Sequence, residues 1–519
     1  MTTGAAADAV DEQRLLLSRD FDSSATDHDV SSPANRGDKR VSSFYILVIL
    51  LAQILAFQLS NTLMEPAMAS IEEAVICREH FSNVTITNPA KDPRCKSESV
   101  QSELSMLQGL EMTFSLIPGL LTSVAYGIAA EKYGRRPILI ICTFGMMLAY
   151  PLDLVVLRWF PVKLIWFVPV VYFIGGGLHV LLALIYTIAS DVTSPAQRST
   201  VYFYVSASLA GTWLLGNPLA YLAMKYGPWT TGCLACLCFA VPFILALIIP
   251  ETSHIKRLHD GNSDNDDATR PGSISHSATP SKPRWAIILS STTAEIASLR
   301  SALQNNANLA LLLSSTLLTK LGSWVSTLLM LFISKRFSFS WAEAQLVLSV
   351  KAFSKLVLVL LVLPLISQTL IQAEVSPPRK DLLLARYCIV LAALGAFGIA
   401  FSPSVVILMV CLVPFALSEG FDASIRSLIV QRATANGQVA IIFAVVSLLE
   451  NLGIMVAGPG MAYAFRIGLG LGQQWYGLPF IVAGVLMMTA AVIVLSLRAD
   501  DEHVPTSLED PNATDPDQV

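Results

Sequence analysis

Twelve runs of roughly 20 mostly apolar residues fill this chain, at 43–64, 107–129, 137–157, 164–189, 201–224, 232–249, 307–333, 342–366, 382–401, 405–425, 438–464 and 478–497. A helix of that length crosses the hydrocarbon core of a bilayer, about 30 Å thick, whereas a soluble globule has no interior that hides a dozen of them. The composition agrees: 54% of the 519 residues are hydrophobic, 14% are charged and the mean hydropathy is +0.59. A net charge of −4 lacks the basic excess that nucleic-acid binding needs. The chain is therefore read as an all-α membrane protein with twelve transmembrane helices. Its expected partners are the lipid bilayer and small solutes, not nucleic acid.

The connectors divide the runs six and six. Ser402–Pro403–Ser404 leaves room for one tight turn, but residues 251–305 are polar and rich in Ser, Asp, Asn and Pro. Five parts follow: a disordered cytoplasmic amino terminus at 1–42, a six-helix bundle at 43–250, a cytoplasmic linker at 251–305, a second six-helix bundle at 306–497, and a disordered cytoplasmic tail at 498–519. Within the linker, Trp285, Ile288, Leu289, Ile296, Leu299 and Leu303 recur near helical spacing, as in a helix lying on the inner leaflet. With the amino terminus inside, 21 of the 34 Lys and Arg fall on the cytoplasmic side and 10 outside, while Lys320, Lys351 and Lys355 lie within spans. The positive-inside rule supports that orientation. Residues 1–42 are polar and of mixed charge, so no cleavable signal peptide is read there.

Cys77 and Cys95 both fall in the first external loop, expected at 65–106, with the N-x-T acceptor Asn83–Val84–Thr85 between them. A disulfide closing the loop and a glycan on Asn83 suit an oxidising compartment; two unpaired thiols and a skipped sequon are the alternatives. The second sequon, at Asn512, falls in the tail placed inside and is expected to stay unmodified. Cys233, Cys236 and Cys238 sit in an apolar helix and are read as packing residues. No metal and no cofactor is expected.

After the second run the chain reads Gly127–Ile–Ala–Ala–Glu131–Lys132–Tyr–Gly134–Arg135–Arg136–Pro137. Gly127 lets two helices approach, Gly134 permits a tight turn, and the cations stay at the anionic inner leaflet. Glu131 is expected to pair with those arginines and to face the positive end of a neighbouring helix. The string resembles the G-x-x-x-D/E-R/K-x-G-R-R signature between helices 2 and 3 of the major facilitator superfamily, and the resemblance extends over roughly residues 44–497. Ile76–Cys77–Arg78, Val100–Gln101–Ser102–Glu103–Leu104, Gly175–Gly176–Gly177 and Pro250–Glu251–Thr252 are similar to fungal facilitators distantly related to the proton-coupled folate carriers. Many such proteins export drugs or secondary metabolites, and that is the function the resemblance implies. Some antiporter features are missing. Val171, Tyr172 and Phe173 stand where proton-driven drug antiporters often carry an Arg, and their helix 5 string appears only as Gly211–Thr–Trp–Leu–Leu–Gly216–Asn217–Pro218. The repeat of the Gly127 motif has decayed to Pro377–Pro378–Arg379–Lys380–Asp381.

Ionisable groups inside hydrocarbon cost at least about 2.5–3.5 kcal/mol each on insertion scales, so each needs a partner, a wet cavity or a role in transport. Lys320 and Glu450, with Asn451 beside it, are read as facing the central cavity, Glu419 and Lys351 nearby, with Glu450 titrating as the cavity alternates. A permanent ion pair between helices 7 and 11 is the alternative. Asp422 is expected to pair with Arg426 one turn on, and Lys355 to pair locally or snorkel. His179 either binds solute or relays a proton, or else packs between helices, while Glu65, Glu111 and Asp153 read as solvated helix ends. Trp213 and Trp324 are candidates to stack an aromatic solute, with packing as the default. Gly216–Asn217–Pro218 and Gly458–Pro459–Gly460 occupy matching places in the two halves, as hinge breaks or kinks would, with ordinary tolerance of proline in membrane helices as the alternative.

The resulting expectation is a secondary active transporter, not an enzyme, that moves a small organic solute by alternating access, with proton-linked efflux of a secondary metabolite or drug-like compound. The alternatives are an importer of a folate-like organic anion held by Lys320 and Lys351, and a non-transporting nutrient sensor. A monomer in the plasma membrane is expected. Asp11–Glu12–Gln13–Arg14–Leu15–Leu16–Leu17, which resembles an acidic dileucine signal, raises the vacuolar or endosomal membrane as the alternative location.

Overall fold

The computed structural model describes residues 43–82, 92–193, 198–252, 307–373, 377–434 and 439–497. The sequons at Asn83 and Asn512, the dileucine string at 11–17, the surface helix at 285–303 and both termini lie outside those residues.

Among the described residues all regular structure is helical, in twelve rods. The first six are α1 Ser43–His80, α2 Glu98–Tyr133, α3 Arg135–Trp159, α4 Val162–Asp191, α5 Arg198–Met224 and α6 Pro228–Ile248. The second six begin with α7, which runs through Ala307–Ser323, a tighter turn at Trp324–Leu328, and Leu329–Phe337. α8 joins Trp341–Val357, a π turn at Leu358–Val362, and Leu363–Gln372. α9 is Pro377–Ala400, α10 joins Val405–Phe415 to Ser418–Thr434, α11 is Val439–Leu471 and α12 is Leu478–Ser496.

Packing falls into two groups. α1 lies against α5 and α6, α3 against α4 and α6, and α2 against α4; in the second half α12 packs on α7 and α9, and α9 on α10. The halves meet along α2 with α11 and α5 with α8. Ten of the rods are long and apolar enough to cross a membrane by length and composition. The remaining two, α5 and α8, are the partners at one of these seams. Both carry polar residues (Ser208, Thr212, Asn217; Glu343, Gln345, Lys351, Lys355) beside exposed apolar ones such as Leu215, Phe353 and Leu361.

Three sequence expectations change. First, the connection expected at 65–106 is mostly helix. α1 continues 16 residues past Met64 and α2 starts at Glu98, so the 38 residues of α1 extend over about 57 Å, well beyond the hydrocarbon. Hydropathy falls at Glu65–Pro66, but Ile71, Ile76 and Leu104 are buried where the two extensions meet the rest of the core. Second, α4 is broken: its first part, Val162–Phe173, is a 3-10 helix, and Gly175, Gly176 and Gly177 all have positive φ (91°, 79° and 64°). A Cβ on Gly175 would lie 2.2 Å from Cys142 Cα, so only glycine fits that turn against α3.

Third, Gly216–Asn217–Pro218 and Gly458–Pro459–Gly460 are not breaks, because α5 and α11 run through them. They serve the two seams instead. Gln345 Nε2 of α8 donates to Asn217 Oδ1 at 3.0 Å. A Cβ on Gly458 would meet Gly109 O of α2 at 2.7 Å, and one on Gly109 would meet Gly458 O at 2.8 Å. Thr113 Oγ1 completes that crossing by donating to Met455 O at 3.0 Å.

Candidate functional site

The second half holds a set of charges inside the bundle. Lys320 of α7 donates to Asp422 of α10, and its ammonium lies 4.0 Å from Glu450 Oε1 of α11. Arg426 Nη2, one turn beyond Asp422, donates to both Glu450 oxygens at 2.8 and 2.9 Å. The side chains of Lys320, Asp422 and Glu450 are only 16–18% exposed. Helix geometry explains the convergence. A Cβ on Gly453 would sit 3.2 Å from Leu317 and 3.5 Å from Lys320 Cβ, so its bare backbone draws α11 onto α7 and brings Glu450, three residues earlier, to Lys320. α10 ends its first segment one residue after Pro414 and restarts at Ser418, which puts Glu419 in a first turn, where the helix dipole favours an acid, and Asp422 on the same face.

The expected Lys320 and Glu450 are thus brought together, but the partners are exchanged. Asp422 does not take Arg426 along its own helix; it takes Lys320, and Arg426 takes Glu450. Cross-helix pairs win because α7 and α11 deliver opposite charges closer than the i+4 neighbour reaches. Lys355 pairs with Glu419 at 2.9 Å, and Lys351 lies over the Phe415 ring, 5.6 Å from its centroid. Asn451 and His179 make no hydrogen bond or ion pair among the described residues. His179 sits against Gly119 of α2, where an added Cβ would be 3.0 Å from its ring.

A second network joins the halves at the end of the bundles that carries Cys77 and Cys95. Glu73, on the extension of α1, is 1% exposed; it accepts from Trp341 Nε1 of α8 at 2.6 Å and from Gln101 Nε2 at 2.5 Å, and it pairs with Lys96 at 2.7 Å. Lys96 also donates to Ser334 Oγ of α7 at 2.6 Å and lies 4.8 Å over the Trp341 ring, while the Lys335 ammonium donates to Lys96 O. Burial pulls the Lys96 ammonium below the usual lysine value, against the raising effect of Glu73. Gln345 adds a 3.3 Å hydrogen bond to Glu65.

Cys77 and Cys95 are joined by a disulfide, and Cys95 immediately precedes Lys96. The double replacement Cys77→Ser/Cys95→Ser, which removes a link across 18 residues, should cost about 3 kcal/mol on the chain-entropy model. Several degrees should be lost from the unfolding midpoint in detergent; an unchanged midpoint would show that helix packing alone positions Lys96.

At the opposite end of the bundles the loop motif works differently from its sequence reading. Glu131 is exposed and makes no ion pair among the described residues, and nothing lies within 4 Å of a Cβ placed on Gly127. Glu251, after α6, takes the acidic role: its carboxylate accepts from the backbone N–H groups of Arg135 at 2.8 Å and Arg136 at 3.2 Å, capping α3 behind Gly134 (φ 104°). Arg135 pairs with Asp191 of α4 at 3.3 Å, and Arg136 donates to Leu247 O at 2.7 Å. Lys132 lies over the ring of Tyr133.

Glu111 and Asp153 are not solvated caps. Glu111 lies beside Glu72, Gln108 donates to Glu72 at 2.8 Å, and Asp153, 6% exposed, lies within the field of both acids. Sequence reasoning misses Glu72, Glu73, Trp341 and Gln345. Glu72 and Glu73 fall in what hydropathy presents as a loop, and only a continued helical pattern through Ile71 and Ile76 marks them as interior.

Two six-helix bundles that meet along α2/α11 and α5/α8, with ionic groups held between their helices, make a multi-pass membrane fold, and the family match and relatives make it a membrane transporter. A family model for the Major Facilitator Superfamily matches residues 44–458, and the chain belongs to that superfamily. It is 26% identical over 486 residues to the MFS efflux pump atnC of Emericella nidulans, covering 91% of each chain. It is 23% identical over 471 residues to the efflux pump ustT of Aspergillus flavus, covering 89% of this chain and 90% of that one. Among solved structures it resembles the nucleoside transporter NupG (TM-score 0.58, 11% identity, 87% of this chain and 100% of that one) and the xylose transporter XylE from E. coli (TM-score 0.56, 14% identity, 87% and 97%).

Proposed function

We propose that this chain exports a small organic solute, of the drug-like or secondary-metabolite kind, by proton-linked alternating access. The observation that carries the mechanism is the shared ammonium: Lys320 stands between Asp422 and Glu450, and Arg426 holds Glu450 from the other side. Protonating one acid leaves Lys320 the other as its partner, so a proton can be taken up without orphaning the ammonium. Export is supported by relatives named efflux pumps that align over about nine-tenths of both chains. The conformation fits an inward-facing state, since Glu73, Lys96, Ser334, Trp341 and the Gly109/Gly458 crossing join the halves near their external ends. Outward opening then requires the outer network to part. In this reading the chain works as a monomer in the plasma membrane, residues 43–250 and 306–497 are the rocking bundles, and 251–305 is the strap between them.

The test is reconstitution into proteoliposomes, with a pH dye trapped inside and a panel of amphipathic compounds outside. Wild-type protein should move protons only when a transported compound is present. Glu450→Gln should bind the same compound and still exchange it, but lose dependence on the pH gradient. Unchanged coupling would take Glu450 out of the mechanism, and no compound-dependent proton movement by the wild type would remove proton linkage altogether.

A further inference from the structure

The charges inside the second half do not all find partners. Lys320 has Asp422 and Glu450, Arg426 has Glu450, and Lys355 has Glu419. Lys351 is the exception. Half-buried ten residues into α8, its ammonium has no hydrogen bond or ion pair among the described residues, and the Phe415 ring lies beneath it at 5.6 Å. Glu419 and Glu65 act on it through space, yet neither comes within ion-pair distance: Glu419 is engaged by Lys355, and Glu65 accepts from Gln345 of the same helix. An ammonium at this depth without a counter-ion is expensive, and nothing in the packing needs it. α8 also forms the seam with α5, so Lys351 sits on a rod that both halves touch.

We infer that Lys351 is the anchor for an anionic group of the solute, and that the transported compounds include small amphipathic carboxylic acids whose carboxylate meets Lys351. This inference rests on the transporter reading above and adds the substrate class to it. Lys320 is not available as a second anchor, because its ammonium already has Asp422 and Glu450 and binding an anion there would break that set.

Three probes of one shape separate the possibilities: 1-naphthoate, its uncharged amide 1-naphthamide, and the cation 1-naphthylmethylammonium. Binding is read as the shift of the unfolding midpoint of full-length protein in nonionic detergent free of anionic lipid. Wild type should bind naphthoate at least tenfold more tightly than the amide and should not respond to the cation. Lys351→Arg should keep the preference and Lys351→Gln should lose it. Without ligand, Lys351→Gln should unfold no earlier than wild type, because no partner is orphaned. Equal binding of the three probes, a preference that survives Lys351→Gln, or a large loss of ligand-free stability in that variant would each overturn the inference. If wild type and Lys351→Gln both export a neutral compound at equal rates with no carboxylate preference, the transporter reading stands and this assignment alone falls.

Discussion

Gly458→Leu should stop transport while leaving a folded protein. The α2/α11 crossing is backbone on backbone: a Cβ on Gly458 already meets Gly109 O at 2.7 Å and Thr113 Oγ1 at 3.3 Å, so a leucine has nowhere to go while the external side is closed. Overpacking a tight contact costs about 1–3 kcal/mol, and here the cost falls only on the state in which α2 and α11 touch. An equilibrium between the two access states then shifts by roughly tenfold to a hundredfold toward outward-open. The expected result is an efflux rate in inside-out vesicles at or near background, normal size-exclusion behaviour, and increased labelling of a cysteine introduced at Ser334, on the external network. Gly109→Leu should act alike, since its Cβ would meet Gly458 O at 2.8 Å and Ala462 Cβ at 2.9 Å. Gly460→Leu is the control, with open space around its Cβ position. Wild-type efflux by Gly458→Leu would show that the crossing is not part of the outer closure.

The second large effect concerns the shared ammonium. Lys320→Gln should destabilise the protein by about 3–5 kcal/mol, because it leaves Asp422 facing Glu450 with only Arg426 to offset two acids, and removing one member of a buried pair costs far more than the pair itself contributes. Asp422→Asn should cost less, since Glu450 remains 4.0 Å from Lys320 to receive it. The double replacement Lys320→Gln/Asp422→Asn should regain much of the stability lost in Lys320→Gln, because no charge is then stranded, while coupling to the pH gradient stays absent. The cycle of four proteins, followed by unfolding midpoint and by proton flux, isolates the interaction. A double variant no more stable than Lys320→Gln would mean that Asp422 is not the partner. Lys351→Gln provides the contrast, a lysine in the neighbouring rod whose removal should cost nothing.

Both predictions draw on geometry that residue types suggest without locating. Lys320 and Glu450 stand out in the sequence because a charge within an apolar run has to be accounted for, and that reasoning reaches the right two helices. It fails on partners. The i+4 spacing favours Asp422 with Arg426, since local sequence knows only neighbours on one helix, and the closeness of α7 and α11 depends on Gly453, whose packing role shows only once the two rods are placed. The paired Gly–Pro strings are visible too, but a glycine that permits a hinge and one that permits a crossing look identical in one dimension. Glu73 escapes for a different reason. A hydropathy window ends where Glu65 and Pro66 interrupt it, whereas α1 continues because its extension is covered by α2 and by the other half.

Run length and composition were enough to indicate an all-α membrane protein of two sets of six helices, because hydrocarbon forces every backbone group into a helix at least long enough to cross it. The Gly127–Pro137 string was enough to suggest the superfamily. Which charge meets which, which glycines touch, that Glu251 and not Glu131 caps the inner loop, and that Lys351 is the lysine left unpaired among its neighbours were decided only by tertiary structure, since each depends on distances between rods set by side chains hundreds of residues apart.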